Sequence, residues 1–272
     1  MSEGPFEVVT VPGGARSLRS REHGETFHPG IGPMQEARIL HVAQHRLEER
    51  LAAGFVIWDV GLGAGANAIA MIETLHAMGK KESRVEIRSF DETLEPLRFA
   101  LKHAEELRYP ARWKPQIEQL LFRGKVEIGS IIWILDTGDF CERINQCTGP
   151  APNAVMFDPY SPTANPGMWT RQVFQAIREK AATDCTLTTY SRSTVTRARL
   201  LQAGWCVGRG AATGEKTETT VAATRLDRLR EPLRRDWLER VKRSRAAGLT
   251  EQGVTPEMLA AELALSAQMQ IE

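Results

Sequence analysis

The chain has 272 residues, of which 42% are hydrophobic and 25% charged, with a net charge of +1. It is long enough to bury one large core and too evenly charged to bind nucleic acid as a whole, so any such contact must come from a local patch. No apolar run reaches the roughly 20 residues of a membrane helix. The four cysteines show no C-x-x-C spacing and no secretory leader is in view, which predicts reduced thiols in a cytoplasmic protein.

Residues 1–32 read as an extended lead-in or lid. A short strand at Phe6–Thr10 is followed by a stretch at residues 24–33 too rich in Gly and Pro for a regular element, carrying Glu25, Thr26 and His28. A helix is predicted from Pro33, with Met34, Ala37, Leu40, Val42 and Leu47 on its apolar face. His41 and His45 sit four apart on it; packed or solvated histidines are favoured over metal ligands, because no third ligand is near, and no metal is expected.

Phe55–Val60 predicts a buried strand. Gly61, Gly63 and Gly65 follow, then an apolar helix through Met78 that opens with Ala66 and Asn67. Strand, glycine-rich turn and helix together open a nucleotide site, because glycine lets backbone approach a ligand and the helix start offers free N–H groups. Residues 84–90 alternate as a strand ending at Asp91, whose carboxylate can accept hydrogen bonds from a ribose diol. Asp91 lies 30 positions past Gly61. A dinucleotide fold places its acid about 20 residues on, so the spacing disfavours NAD. A helix over 93–107 follows.

Residues 125–135 read as extended, with a turn or bulge at Gly129 and Ser130, ending at Asp136 and Thr137. The buried strand Ala154–Phe157 ends at Asp158. Pro159, Pro162 and Pro166 lack the N–H that a ladder needs, so the chain leaves the sheet there. Strands ending in Asp91, Asp136 and Asp158 would gather carboxylates along one sheet edge, the edge where open α/β sheets bind ligands. Helices over 169–182 and 193–203 alternate with strands at 186–190 and from Gly204, and 219–224 closes the sheet as an antiparallel hairpin. Residues 33–226 thus read as one doubly wound α/β domain. Residues 227–272 read as a basic helical tail, with nine basic residues against four acidic ones over 225–245. A solvated face is the default for such a run, and a phosphate-backbone contact the sharper alternative.

D-V-G-L-G-A-G-A-N at residues 59–67 resembles the first motif of class I S-adenosylmethionine-dependent methyltransferases. F-D-P-Y-S-P-T-A-N-P-G-M-W at 157–169 resembles the signature of the tRNA 5-methylaminomethyl-2-thiouridine methyltransferase family. E-T-F-H-P-G-I-G-P-M-Q-E-A at 25–37 and G-E-K-T-E-T-T-V-A at 214–222 resemble its flanking motifs, and the resemblance covers roughly 24–225. It implies a Rossmann-like class I methyltransferase fold: a mostly parallel seven-stranded sheet, helices on both faces and a terminal antiparallel strand. It also implies S-adenosylmethionine as cofactor, tRNA as partner, and N-methylation of the aminomethyl group of a wobble uridine.

Carried over by position, the resemblance gives Gly61, Gly63, Gly65 and Asn67 to the methionine part of the cofactor, with Glu36 at its amino end. Asp91 would hold the ribose, and Asp136 and Thr137 would lie by the adenine. Asp158 and Tyr160 would stand at the transfer centre. Tyr160, Asn165, Trp169 and Lys216 would meet the substrate, with Tyr160 or Trp169 stacking on a base. The chain departs from the family pattern at Ala164, where a lysine is usual, and at Pro159. Two alternatives stay open: a methyltransferase for a small-molecule or protein amine, and a non-catalytic nucleotide-binding module.

Overall fold

The computed structural model describes residues 4–79, 83–214 and 216–270. Glu215 of the late motif and the outermost residues of the predicted lead-in and tail lie outside the described residues. A hairpin of β1 (Phe6–Thr10) and β2 (Arg16–Ser20) comes first. Next come α1 (Pro33–Ala37), α2 (Leu47–Arg50), β3 (Phe55–Val60), α3 (Ala66–Met78) and β4 (Val85–Asp91). The chain continues through α4 (Glu95–Lys102), α5 (Ala104–Leu107), α6 (Lys114–Arg123), β5 (Lys125–Ile128), β6 (Ile131–Thr137), α7 (Phe140–Gln146) and β7 (Ala154–Phe157). It closes with α8 (Arg171–Lys180), β8 (Thr186–Thr189), α9 (Thr194–Gln202), β9 (Cys206–Gly210), β10 (Thr219–Ala223), α10 (Leu238–Arg243) and α11 (Pro256–Ala264).

The main sheet has eight strands in the order β5-β6-β4-β3-β7-β8-β10-β9. The five from β6 to β8 run parallel, and β5 and β10 are antiparallel to their neighbours. The sheet exceeds the expected seven strands because residues 125–135 form two strands, turning at Gly129 in a left-handed conformation (φ 61°).

Side-chain alternation sorts the core into two layers. From β3, Val56, Trp58 and Val60 join one layer with α7, α8 and α9, while Phe55 and Ile57 join the other with α3 and α6. Residues 227–270 pack onto the first layer through Trp237, Leu238, Val241, Leu259 and Leu263. Their backbone also covers the exposed edge of β9: Arg209 N–H donates to Glu231 O, and Leu233 N–H to Val207 O. The Gln268 amide bonds both backbone groups of Val207, so the open strand is closed to other chains.

Two predicted helices differ in form. The one from Pro33 passes into a π-helical turn at Arg38–Val42 and a 3₁₀ turn at Ala43–His45. The one over 93–107 divides at His103 into α4 and α5. Among the described residues, no helix is long and apolar enough to cross a membrane.

Candidate active site

β3 is the first strand laid down in the parallel sheet, with β4 on one side and β7 on the other. The crevice beyond the carboxyl ends of β3 and β7 is therefore the topological switch point of the sheet. Val60 and Phe157 are register partners, so Gly61 and Asp158 leave the sheet side by side. Gly61 has φ 90°, and a Cβ there would lie 2.6 Å from Asp158 O. Only glycine permits this approach.

A cavity of about 730 Å³ opens at this point. The glycine turn, the ends of β4 and β7, the start of α7 and the lead-in loop line it. The lead-in is fastened across it: Ser161 N–H donates to Glu25 Oε2 at 3.1 Å, and Ser161 Oγ donates to Glu25 Oε1. Phe27 rests against Gly63, where a Cβ would come within 3.1 Å of its ring.

Asp158 is the focus of the polar groups. Its side chain is 14% exposed. Asn67 Nδ2 on α3 donates to Oδ2 at 2.7 Å. His41 Nε2 lies 3.7 Å and His28 Nε2 3.9 Å from the same oxygen. Burial raises the pKa of this carboxyl, but His41, His28 and Asn67 together outweigh it and hold the group below the usual carboxylate range. Asp158 is thus an anion whose proton-poor state is built into the fold.

Asp91 accepts from Gly63 N–H at 2.8 Å, which ties the end of β4 to the glycine turn. Burial outweighs the Gly63 bond and raises the Asp91 pKa. Behind it, Asp59 on β3 is fully buried; its Oδ2 accepts from Ser89 Oγ at 2.7 Å and its Oδ1 has no partner among the described residues.

Residues 102–225 match the family model described as S-adenosyl-L-methionine-dependent methyltransferase. The bifunctional MnmC protein of tRNA 5-methylaminomethyl-2-thiouridine biosynthesis from Burkholderia vietnamiensis is 28% identical over 202 residues, covering 70% of this chain and 31% of that protein. The protein of the same name from Aeromonas hydrophila is 29% identical over 222 residues, covering 73% and 32%. The chain thus spans about a third of the length of these relatives. The crystal structure of MnmC2 from Aquifex aeolicus superposes with a TM-score of 0.73 at 25% identity, covering 97% of this chain and 85% of that one. The chain is an S-adenosyl-L-methionine-dependent methyltransferase similar to the MnmC proteins.

The donor set of this methyltransferase fits its cofactor. Gly61 and Gly63 bring bare backbone to the cavity wall, Asp91 presents a carboxylate there, and Asn67 keeps a buried Oδ1 with no partner among the described residues. Glu36, Tyr160, Asn165 and Lys216 also line the cavity, whereas Gly65 serves the turn from behind, with φ 83°.

Three expected residues stand elsewhere. Asp136 alternates to the sheet face opposite Asp91 and pairs with Arg88 and Arg143, so it does not line the cavity. Thr137 does not line it either; Asp139, Phe140 and Cys141 do so at that strand end. Asp139 caps α7, accepting from Cys141 N–H and Glu142 N–H. Trp169 is 1% exposed, packed on Phe157 and Tyr190 with its Nε1–H donated to Tyr160 O, so it cannot stack on a base. Tyr160 itself packs against His23 and Phe27 of the lead-in.

Sequence reasoning missed the approach of His41 to Asp158 and the Glu25–Ser161 latch. The one local signal was the His41/His45 spacing, and it does not say which way the rings point.

Proposed function

We propose that this methyltransferase N-methylates the aminomethyl group of a tRNA wobble uridine in the cytoplasm, with Asp158 orienting the amine. The observation that carries the reading is an anionic Asp158 at the switch point, lining the cavity and held through Oδ2. The names of the relatives and the match to MnmC2 support the substrate class.

Gly61, Gly63, Glu36 and Asn67 would hold the methionine end of the cofactor, and Asp91 its ribose. When bound, S-adenosylmethionine supplies an electrophilic methyl group on a sulfonium. An amine attacks such a carbon only as the free base with its lone pair aimed. Asp158 accepts an N–H hydrogen bond and so fixes that direction. Lys216, whose Nζ sits 4.5 Å over the Tyr190 ring at the cavity wall, would meet a phosphate.

The domain division follows from the same reading: residues 1–32 as lid, 33–226 as the methyltransferase unit and 227–272 as a basic extension for RNA. The test is methyl transfer to tRNA from cells lacking the terminal wobble methylation, read by nucleoside mass spectrometry. Gain of one methyl on the aminomethyl-uridine supports the reading. No gain, with S-adenosylmethionine bound in a thermal-shift control, overturns the substrate assignment.

A further inference from the structure

Behind Asp158 runs a line of buried polar groups that the proposed chemistry does not use. His41 and His45 are both 0% exposed. His41 Nδ1 lies 2.7 Å from Thr188 Oγ1 on β8. Thr188 Oγ1 lies 3.3 Å from His45 Nε2, and His45 Nδ1 lies 2.8 Å from Thr186 Oγ1. Arg50 at the end of α2 closes the line, donating from one terminal nitrogen to Thr186 Oγ1 at 2.7 Å. Strand period places Thr186 and Thr188 on one face of β8, and the irregular turns after α1 put both imidazoles over them.

The direction of the hydrogen bonds can be read from the Arg50 end. Arginine only donates, so Thr186 Oγ1 accepts there. Among the described residues, the acceptor within reach of the Thr186 hydroxyl proton is His45 Nδ1. Burial first, then the Arg50 charge, hold the His45 pKa well below its usual value, so that ring is neutral and carries its proton on Nε2. Nε2–H then donates to Thr188. The Thr188 proton has two acceptors, His41 Nδ1 at 2.7 Å and Val155 O at 3.5 Å, and the shorter contact takes it. His41 Nδ1 is thereby an acceptor, and the His41 proton sits on Nε2. That nitrogen has no hydrogen-bond partner among the described residues and faces the Asp158 carboxylate.

We infer that His41 is a positioning residue for Asp158, locked as the Nε2–H tautomer by the Arg50–Thr186–His45–Thr188 line so that it presents a fixed donor to the carboxylate. Every bond in the line points toward Asp158, so the line holds an anion and does not carry a proton away from it. The lock rests on the proposed role of Asp158, yet its tautomer can be observed without any substrate. The other titratable groups around Asp158 are His28 from the lead-in, Asp59 on β3 and Tyr190 after β8; Glu25, Glu36 and Asp91 share the cavity wall.

The first test is long-range nitrogen–proton NMR of the full chain labelled on its histidines, with the His41 signals assigned by their loss in His41→Gln. A ring whose proton sits on Nε2 and not on Nδ1 is expected. A ring protonated on Nδ1, or on both nitrogens, overturns the lock. The second test uses Thr188→Val, which keeps the shape and removes the hydroxyl. The expected result is a kcat about 10–100-fold lower on the aminomethyl-uridine tRNA, as for other supporting hydrogen bonds. KM should be unchanged, and Asp158, followed by carboxyl-carbon NMR, should titrate at higher pH than in the wild type, also in a His28→Gln background. Thr188→Ser should restore both. An unmoved Asp158 titration, or a Ser variant as slow as Val, overturns the lock. If NMR finds the tautomer but the wild-type chain methylates no aminomethyl-uridine, the substrate reading fails and the lock stands.

Discussion

Asn67 Nδ2 donates to Asp158 Oδ2 at 2.7 Å, so the helix that begins the glycine-turn unit grips the carboxylate at the end of β7. One side chain thereby couples the cofactor side of the cavity to the side assigned here to the amine. Asp158→Asn tests that assignment, since the amide loses the charge and keeps the size. Turnover should fall by about 10²–10⁴-fold. S-adenosylmethionine affinity by calorimetry should stay within a few-fold. Turnover that survives the change means that Asp158 does not orient the amine.

Gly61→Ala should damage both fold and chemistry. The added carbon would meet Asp158 O at 2.6 Å, and φ 90° is strained for any side chain. Such strain costs about 1–3 kcal/mol, and relief of the clash must displace the Asp158 backbone. Gly79→Ala is the control: its φ of 64° is also left-handed, but nothing lies within 4 Å of the added carbon. That variant should lose stability in urea titration and keep its turnover.

Glu25→Ala should release the lead-in. Glu25 accepts two bonds from Ser161, and bonds to a charged group contribute about 1.5–3 kcal/mol. Hydrogen exchange at residues 21–32 should speed up while the sheet stays protected. If exchange there is unchanged, the two bonds do not hold the lid.

Asp59 makes the stability of the protein pH-dependent. Burial pushes its carboxyl up, the Ser89 hydroxyl opposes this, and the Asp158 and Asp91 charges add to it, bringing the pKa from 3.8 to about 7. Between these values the native chain binds a proton that the unfolded chain has released, so this group costs stability as pH rises toward 7, and the cost levels off above it. Asp59→Asn cannot titrate. Its stability relative to wild type should improve by on the order of 1–3 kcal/mol between pH 5 and 8 in urea titrations. A difference that stays flat with pH excludes this account.

The local chemistry of the chain determined the α/β alternation, the glycine turn after β3 and the departure from the sheet at Asp158. Strand period, glycine conformation and the missing proline N–H act within a few residues, so they are legible in order along the chain. Three features depended on tertiary structure. Gly129 divides one extended stretch into two strands because β5 folds back on β6. Asp136 belongs to Arg88 and Arg143 because pleating turns it to the opposite face from Asp91. His41 reaches Asp158 and Thr188 only across the packed sheet, with Thr188 lying 147 positions away in the chain. A histidine pair four apart looks the same whether it faces solvent, metal or carboxylate. Its partners are chosen by how the layers pack, and no local pattern encodes that packing.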